Sequence, residues 1–483
     1  MPFTINPIKF GTDGWRGVIA ADFTVERVQR VAPLAAQVLA ENYGAIASHP
    51  RTIIVGYDRR FMAEDFAVIV AEAVQSTGFD VVLSNSYAPT PAFSWAAKQQ
   101  GALGALVLTA SHNPARYLGL KVKGAFGGSV TGEITQQIEA RLAETLEPAA
   151  TPGTRSEFDP WANYCAGLQA KVDIAAIRGA IAAGKLRLFA DAMHGAAASG
   201  LQRLLGIEID ELRGDRDPLF DGGAPEPLPK YLAELFRVIK AAAQSGETSL
   251  RVGFVFDGDS DRIAAVDGQG NFLSSQVLIP ILIEHLSQRK GQTGEIVKTV
   301  SGSDLIPRLA QLYQLPLYET PIGYKYIAAR MQQAAVLVGG EESGGIGYGT
   351  HIPERDALLS ALYVLEAVVE SGRDLGALYA DLQAKTDCNL AYDRIDLPLA
   401  SMAVRQQLLD RLAQDTPKTV AEQPVLDCST LDGYKFRLGD GHWLLIRFSG
   451  TEPVLRLYCE APTATQVKQT LNWAKAWAES DLP

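Results

Sequence analysis

Three aspartates alternate in Asp257-Gly258-Asp259-Ser260-Asp261, directly behind the apolar run Val252 to Phe256. The period of two in extended chain turns all three carboxylates to one side. Crowded carboxylates repel, and a hard divalent cation relieves the repulsion. Mg²⁺ prefers such oxygen ligands and commonly completes its shell with a phosphate oxygen. A calcium EF-hand would need Gly at its sixth position and Glu at its twelfth, where this chain has Arg262 and Gly268. A solvated acidic turn is the plain alternative; the strict spacing after an apolar strand favours metal. Arg262 then places a guanidinium where it would orient a phosphate during transfer.

A second polar loop, Thr109-Ala110-Ser111-His112-Asn113-Pro114, follows the apolar run Leu106 to Leu108. Pro114 restricts Asn113 to extended or turn geometry, so Ser111 is expected to be displayed on a bend. A serine hydroxyl becomes a useful nucleophile beside a base or a metal-bound phosphate, and His112 is close enough in sequence to contribute hydrogen bonding. The nucleophile elbow of hydrolases needs GxSxG, whereas Ala110 and His112 flank this serine. A simple turn role is the competing reading.

Two further loops carry groups suited to sugar and phosphate. Glu341 and Ser343 lie in a glycine-rich segment, and carboxylate and hydroxyl are the groups that hold sugar hydroxyls. Lys325, after Gly323 and Tyr324, adds either a cation near the sugar or its phosphate or ordinary surface charge. Arg447, Ser449, Gly450 and Thr451 form R-x-S-G-T after a strand, with Arg456 on the next. Hydroxyls and backbone N–H groups around glycine make an anion nest, and arginine supplies paired donors, so this loop reads as a clamp for a phosphate that does not react. An ordinary hairpin turn is the alternative.

The elements that must hold these loops can be read from periodicity. Strand-like runs at Thr52 to Tyr57, Val81 to Leu83 and Ala105 to Leu108 alternate with helical ones, notably Glu64 to Thr77, which Gly78 would end. The theme recurs at Leu186 to Ala190 and Val252 to Phe256, then at Ile296 to Val300 and Val336 to Val338. Such βαβ patterning predicts parallel pairing of these strands. Ligands of open parallel sheets collect beyond the carboxyl ends of strands, so the serine, aspartate and Glu341 loops are expected to face one cleft. The last hundred residues change character: strands flank Gly439-Asp440-Gly441, another runs Val454 to Cys459, and an amphipathic helix starts near Thr465. The fold class is therefore α/β, with three similar mixed-sheet α/β domains and a smaller C-terminal α+β domain. The stretch Glu147 to Gly153 and the turn signal Asp267 to Asn271 make the first two divisions and that change of character the third, giving 1–153, 154–268, 269–384 and 385–483.

Composition narrows the partners. A chain of 483 residues suggests about three or four domains. A net charge of −11 argues against nucleic acid or an anionic membrane as the main partner, while a small anion such as a phosphosugar can bind a local basic pocket. Four scattered cysteines form no CxxC pair or dense disulfide framework. Apolar runs are too short to span a bilayer, and the N-terminus lacks a signal-peptide pattern, so a cytoplasmic location is expected. The oligomeric state is not legible.

Five motifs in order resemble the α-D-phosphohexomutase family, which includes phosphoglucomutases, phosphomannomutases and phosphoglucosamine mutases: FGTDGWRG at 10–17, TASHNP at 109–114, DGDSDR at 257–262, GEESGG at 340–345 and RFSGTEP at 447–453. The resemblance implies four domains in a heart shape around a central cleft. It implies that Ser111 is a phosphoserine whose phosphate completes Mg²⁺ coordination by Asp257, Asp259 and Asp261. Arg16 and Lys121 look like active-site cations, Lys121 as a general acid/base, with Glu341 and Ser343 on sugar hydroxyls and Arg447, Ser449, Gly450 and Thr451 on the distal phosphate. Two departures stand out: Leu118, where the family often has Asn between Tyr117 and Gly119, and Gly345, where many members have His. The expected reaction interconverts hexose 1-phosphate and hexose 6-phosphate, glucose first and mannose next, through a hexose 1,6-bisphosphate that also serves as activator. The alternatives are a bisphosphate synthase that releases this intermediate and a non-catalytic phosphosugar sensor.

Overall fold

The connection between Ala102–Leu108 and Tyr117–Gly124 is only eight residues long, too short for the crossover that a parallel pair requires. The chain therefore turns back, and the two strands pair antiparallel, Leu106 opposite Val122. In a computed structural model, which describes residues 6–11, 13–246, 248–439, 441–449 and 453–480, this return makes the first sheet mixed. Its parallel part is the expected one, with His49–Tyr57 between Ala102–Leu108 and Asp80–Ser84. Gly14–Val18 then adds antiparallel beyond Tyr117–Gly124. At the far edge Arg155–Phe158 pairs with Asp80–Ser84, just past the division expected at 153.

The second sheet orders Phe272–Leu273, Ile263–Val266, Leu250–Phe256, Leu186–Asp191 and Asp210–Leu212; the third orders Leu317–Thr320, Glu295–Thr299, Val336–Gly340 and Ile346–Gly347. Both repeat the device of the first: parallel central strands, then a short antiparallel return immediately after the polar loop. The fourth sheet is antiparallel throughout, from Ala391–Pro398 to Asp427–Ser429, with the helix Ala464–Glu479 against it. Thr463 caps that helix by accepting from the Gln466 N–H at 3.2 Å. The expected helix at 64–77 spans Ala63–Ser76 and is followed by Gly78 at φ +89°, a conformation that favours glycine.

One continuous apolar core joins the first three domains, running from Ile54 and Phe93 through Leu188 and Phe254 to Leu359 and Tyr363. The fourth domain has its own core around Phe436, Leu457 and Leu471. A small cluster of Val300 with Trp443, Leu445 and Tyr458 joins it to the third. Among the described residues no helix is long and apolar enough to cross a membrane.

Candidate active site

The serine and aspartate loops meet because each leaves the carboxyl end of a buried central strand. Ser111 sits on its bend at φ +52°, a left-handed conformation unusual for serine, and its hydroxyl donates to Asp257 Oδ2 at 2.8 Å. It was expected to be displayed; instead Ser111 is fully buried, covered on the cleft floor by the aspartate loop. Gly258 permits this approach, since a Cβ there would stand 2.4 Å from the Ser111 carbonyl oxygen. His112 Nδ1 lies 3.3 Å from Ser111 Oγ. Burial, then Arg262 and Arg16, hold its imidazole well below the usual histidine value, so it is neutral at physiological pH.

Asp257, Asp259 and Asp261 are fully buried, and one carboxylate oxygen from each lies within 4.8 Å of the others. Burial, then Asp261 and Asp259, drive the Asp257 carboxyl well above the usual range. Among the described residues Asp259 Oδ1 and Asp261 Oδ1 are buried without a hydrogen-bond partner. An all-oxygen set with unsatisfied buried lone pairs suits a hard divalent cation, and these residues fit Mg²⁺. Arg262 stands at the rim, its Nε 3.9 Å from Asp261 Oδ1, and Arg16 donates to Asn113 Oδ1 at 2.6 Å.

Lys121, on the antiparallel return, is met by Asp13 at 2.6 Å, Asp259 at 2.7 Å and Asp261 at 2.8 Å. Burial opposes its charge, but the three carboxylates outweigh it and hold the ammonium well above lysine's ordinary value. The third domain enters through Arg355, which donates to Asp13 and Asp261 at 2.5 and 2.6 Å and to Glu341 Oε1 at 3.3 Å. Ser343 also donates to Glu341 Oε1, at 2.8 Å. A backbone bridge between Arg262 and Gly345 ties the aspartate loop to the Glu341 loop.

The expected residues outside this cluster divide. Lys325 lines a narrow gap against Asp13, Gly14 and Thr131 of the first domain and makes no ion pair with the central carboxylates. In the fourth domain Arg447 pairs with Asp432 at 3.0 Å, and the Ser449 N–H donates to the Val454 carbonyl at 3.0 Å. Arg447 and Arg456 stand directly opposite on adjacent strands, and Arg456 Nε is buried without a hydrogen-bond partner among the described residues. Like charges in register disfavour a sheet unless an anion joins them. Gly450 and Thr451 lie outside the described residues.

The residues that motif reading missed are supports. Arg60, fully buried, donates to the Ser111 and Asn113 carbonyls at 2.5 and 2.7 Å and to those of Pro114 and Tyr117 at 3.2 Å. Asp58, lifted to about 6 by burial, accepts from Thr109 at 2.6 Å and pairs with Arg60 at 3.5 Å. Thr90 donates to Asp259 Oδ2 at 2.5 Å. A signal was present: charged runs at Asp58-Arg59-Arg60 and Glu354-Arg355-Asp356, with Asp13 inside the N-terminal motif.

Four family models match the chain in order. They are the alpha/beta/alpha domains I, II and III and the C-terminal domain of phosphoglucomutase/phosphomannomutase, over residues 7–149, 162–270, 274–386 and 401–472. A phosphoglucosamine mutase of Frankia alni is 30% identical over 98% of both chains. A phosphoglucosamine/phosphogalactosamine mutase of Sulfurisphaera tokodaii is 28% identical over 97% of this chain and 99% of its own. A crystal structure of a putative phosphomannomutase from Thermus thermophilus superposes with a TM-score of 0.84 at 34% identity, covering 99% of this chain and 100% of that one.

Proposed function

Since the chain belongs to the phosphoglucomutase/phosphomannomutase family and is a phosphohexomutase, we propose that it interconverts hexose 1-phosphate and hexose 6-phosphate through a phosphoryl group carried on Ser111. The observation that carries this reading is the 2.8 Å contact of Ser111 Oγ with Asp257 Oδ2, which puts the acceptor oxygen at the edge of the carboxylate cluster. Asp257, Asp259 and Asp261, with phosphorylated Ser111, would hold Mg²⁺. The bound ion would offset charge on the phosphoryl oxygens as transfer proceeds.

The chain's own residues do the rest. As the bond from Ser111 Oγ to phosphorus breaks, a sugar hydroxyl forms its bond to the same phosphorus and gives up a proton; Lys121 handles that proton in both directions. Arg16 and Arg262 orient the phosphoryl group, and neutral His112 hydrogen-bonds the seryl oxygen. The 1,6-bisphosphate then turns over in the cleft and returns its other phosphoryl group to Ser111. Turning requires sugar contacts that serve two orientations, a task suited to Glu341 and Ser343. It also requires a clamp for whichever phosphate is idle, which Arg447, Arg456, Ser449, Gly450 and Thr451 supply, with Lys325 at the margin.

Glucose phosphates are the preferred substrates and mannose phosphates the next. Glu341 is already faced by the Arg355 guanidinium at 3.3 Å, which suits it to accept from neutral hydroxyls rather than to pair with the ammonium of an amino sugar. Purified protein with Mg²⁺ and a trace of hexose 1,6-bisphosphate should convert glucose 1-phosphate to glucose 6-phosphate. It should do so with a kcat/KM at least about tenfold above that for glucosamine 1-phosphate. Chelation of the metal should stop the reaction, and Ser111→Ala should reduce kcat by at least about a thousandfold. Accumulation of free bisphosphate in place of glucose 6-phosphate would refute the mutase reading.

A further inference from the structure

A second cluster of ligating groups lies outside this cleft, on the second domain. His194 follows the strand Leu186–Asp191, and Asp217 and Asp221 stand in the loop 213–225; one ligand atom from each lies within 4.8 Å of the others. His194 is only 5% exposed. Its Nδ1 lies 3.1 Å from the Asp215 carbonyl oxygen and 3.4 Å from Asp215 Oδ1, and both of these can only accept. Nδ1 therefore carries the hydrogen, and in the neutral ring Nε2 bears a lone pair.

That lone pair is poorly placed for an imidazole alone. Among the described residues Nε2 is buried without a hydrogen-bond partner, yet Asp221 Oδ2 is 3.2 Å away. The two electron-rich atoms repel, and no hydrogen bond joins them. A cation between the three groups turns the repulsion into ligation. One ring nitrogen fixed by a carbonyl while the other points at acidic side chains is the arrangement of metal-bound histidines.

The competing charge nearby is Arg213, whose terminal nitrogen is 3.8 Å from Asp221 Oδ2. That guanidinium is committed to Asp191, at 2.9 and 2.5 Å. Asp217 accepts the N–H groups of Leu219 and Asp221 at 2.9 and 2.8 Å, which orients its carboxylate and leaves lone pairs on both oxygens. Asp221 is 61% exposed, so an ion reaches the cluster without unfolding.

We propose that His194, Asp217 and Asp221 form a second divalent-cation site, selective for a transition ion of the Zn²⁺ or Mn²⁺ type over Mg²⁺ because one donor is an imidazole. The loop it fastens supports both catalytic loops. Phe220 lies under the Arg60 guanidinium at 4.9 Å, and the Pro225 carbonyl accepts the Gly258 N–H at 3.1 Å. Ion binding here stiffens the platform beneath Ser111 and Asp257.

The test is metal retention by the full chain after equilibration with Zn²⁺ and dialysis against excess Mg²⁺. Asp259→Asn serves as the parent, so that the carboxylate centre in the cleft does not enter the count. The parent should keep one equivalent of Zn²⁺, and adding Asp221→Asn or His194→Gln should weaken retention at least about tenfold. With Mn²⁺ as probe, pulsed EPR of the wild type should show one imidazole nitrogen coupling that His194→Gln removes and His112→Gln keeps. If His194→Gln does not fold, Asp221→Asn, altered at a solvent-exposed side chain, decides. No retained Zn²⁺ in the parent, retention unchanged in Asp221→Asn, or a nitrogen coupling that persists without His194 each overturns the proposal.

Discussion

Around Lys121 one ammonium is shared by three carboxylates, and the surplus negative charge is answered from the third domain by Arg355. Asp13 shows the result: burial opposes its ionisation, but Lys121, Lys123 and Arg355 outweigh burial and hold its carboxyl well below the usual range. The network is balanced only as a whole, so removing one cation strands the others' partners. Arg355→Met should cost about 3–5 kcal/mol of unfolding free energy, because Asp13, Asp261 and Glu341 are left buried and under-neutralised. Arg355→Lys, which restores charge without the forked geometry, should recover part of that loss. Urea titration of the three proteins checks the order, and equal stability of wild type and Arg355→Met would refute it. At this scale the motif residues were legible because each set lies in one short run of sequence. Arg355 was not, since its partner Asp13 is 342 positions away and only the folded chain makes them neighbours.

Elements decide how near two loops can come, and here the decisive ones are short. The antiparallel returns follow from connection length, which a reading by strand periodicity alone does not count. That is why strand positions such as Thr52 to Tyr57 and the mixed character of the sheets were legible, while the antiparallel partner of Ala102–Leu108 was not. Arg60 illustrates the other gap: it holds four carbonyls of the turn that carries Ser111, work that no motif announces. The approach of the serine loop to the aspartate loop is set by Gly258. In Gly258→Ala the added methyl would meet the Ser111 backbone carbonyl at 2.4 Å and the side-chain ring of Pro225, whose own carbonyl accepts the Gly258 N–H, at 2.9 Å. The loops must part by several tenths of an ångström, enough to lengthen the contact from Ser111 Oγ to Asp257. A fall in kcat of about tenfold to a hundredfold, larger than any change in KM, is expected from steady-state kinetics. Unchanged kcat would show that the contact does not set the rate.

For the molecule as a whole, three domains share a core while the fourth is attached through a small apolar cluster and a set of polar contacts. Lys435, buried among them, is sensitive to pH. Its ammonium donates to the Val300 carbonyl of the third domain at 2.7 Å and lies over the Trp443 ring at 4.2 Å, while Asp304 is 3.9 Å away. Burial, then Lys298, lowers it from the ordinary lysine value to about 7. Between that value and the value near 10.5 of an unfolded chain, the unfolded state binds a proton that the folded state does not. Stability therefore rises with pH across this window, by at most about 1.4 kcal/mol per pH unit from this group. Below it the lysine is charged in both states, and the folded protein bears the cost of a buried ammonium. Lys435→Met removes the titration but keeps the bulk, so wild type should gain on the variant by about 1 kcal/mol or more between pH 7 and 9 in urea titrations. Because the third and fourth domains meet at this lysine, hydrogen exchange at Val300 and in the strand His442–Phe448 should slow over the same interval in wild type and not in the variant. A stability difference independent of pH would mean that Lys435 stays charged where it is buried, and the contact between the domains would then owe nothing to its neutral form.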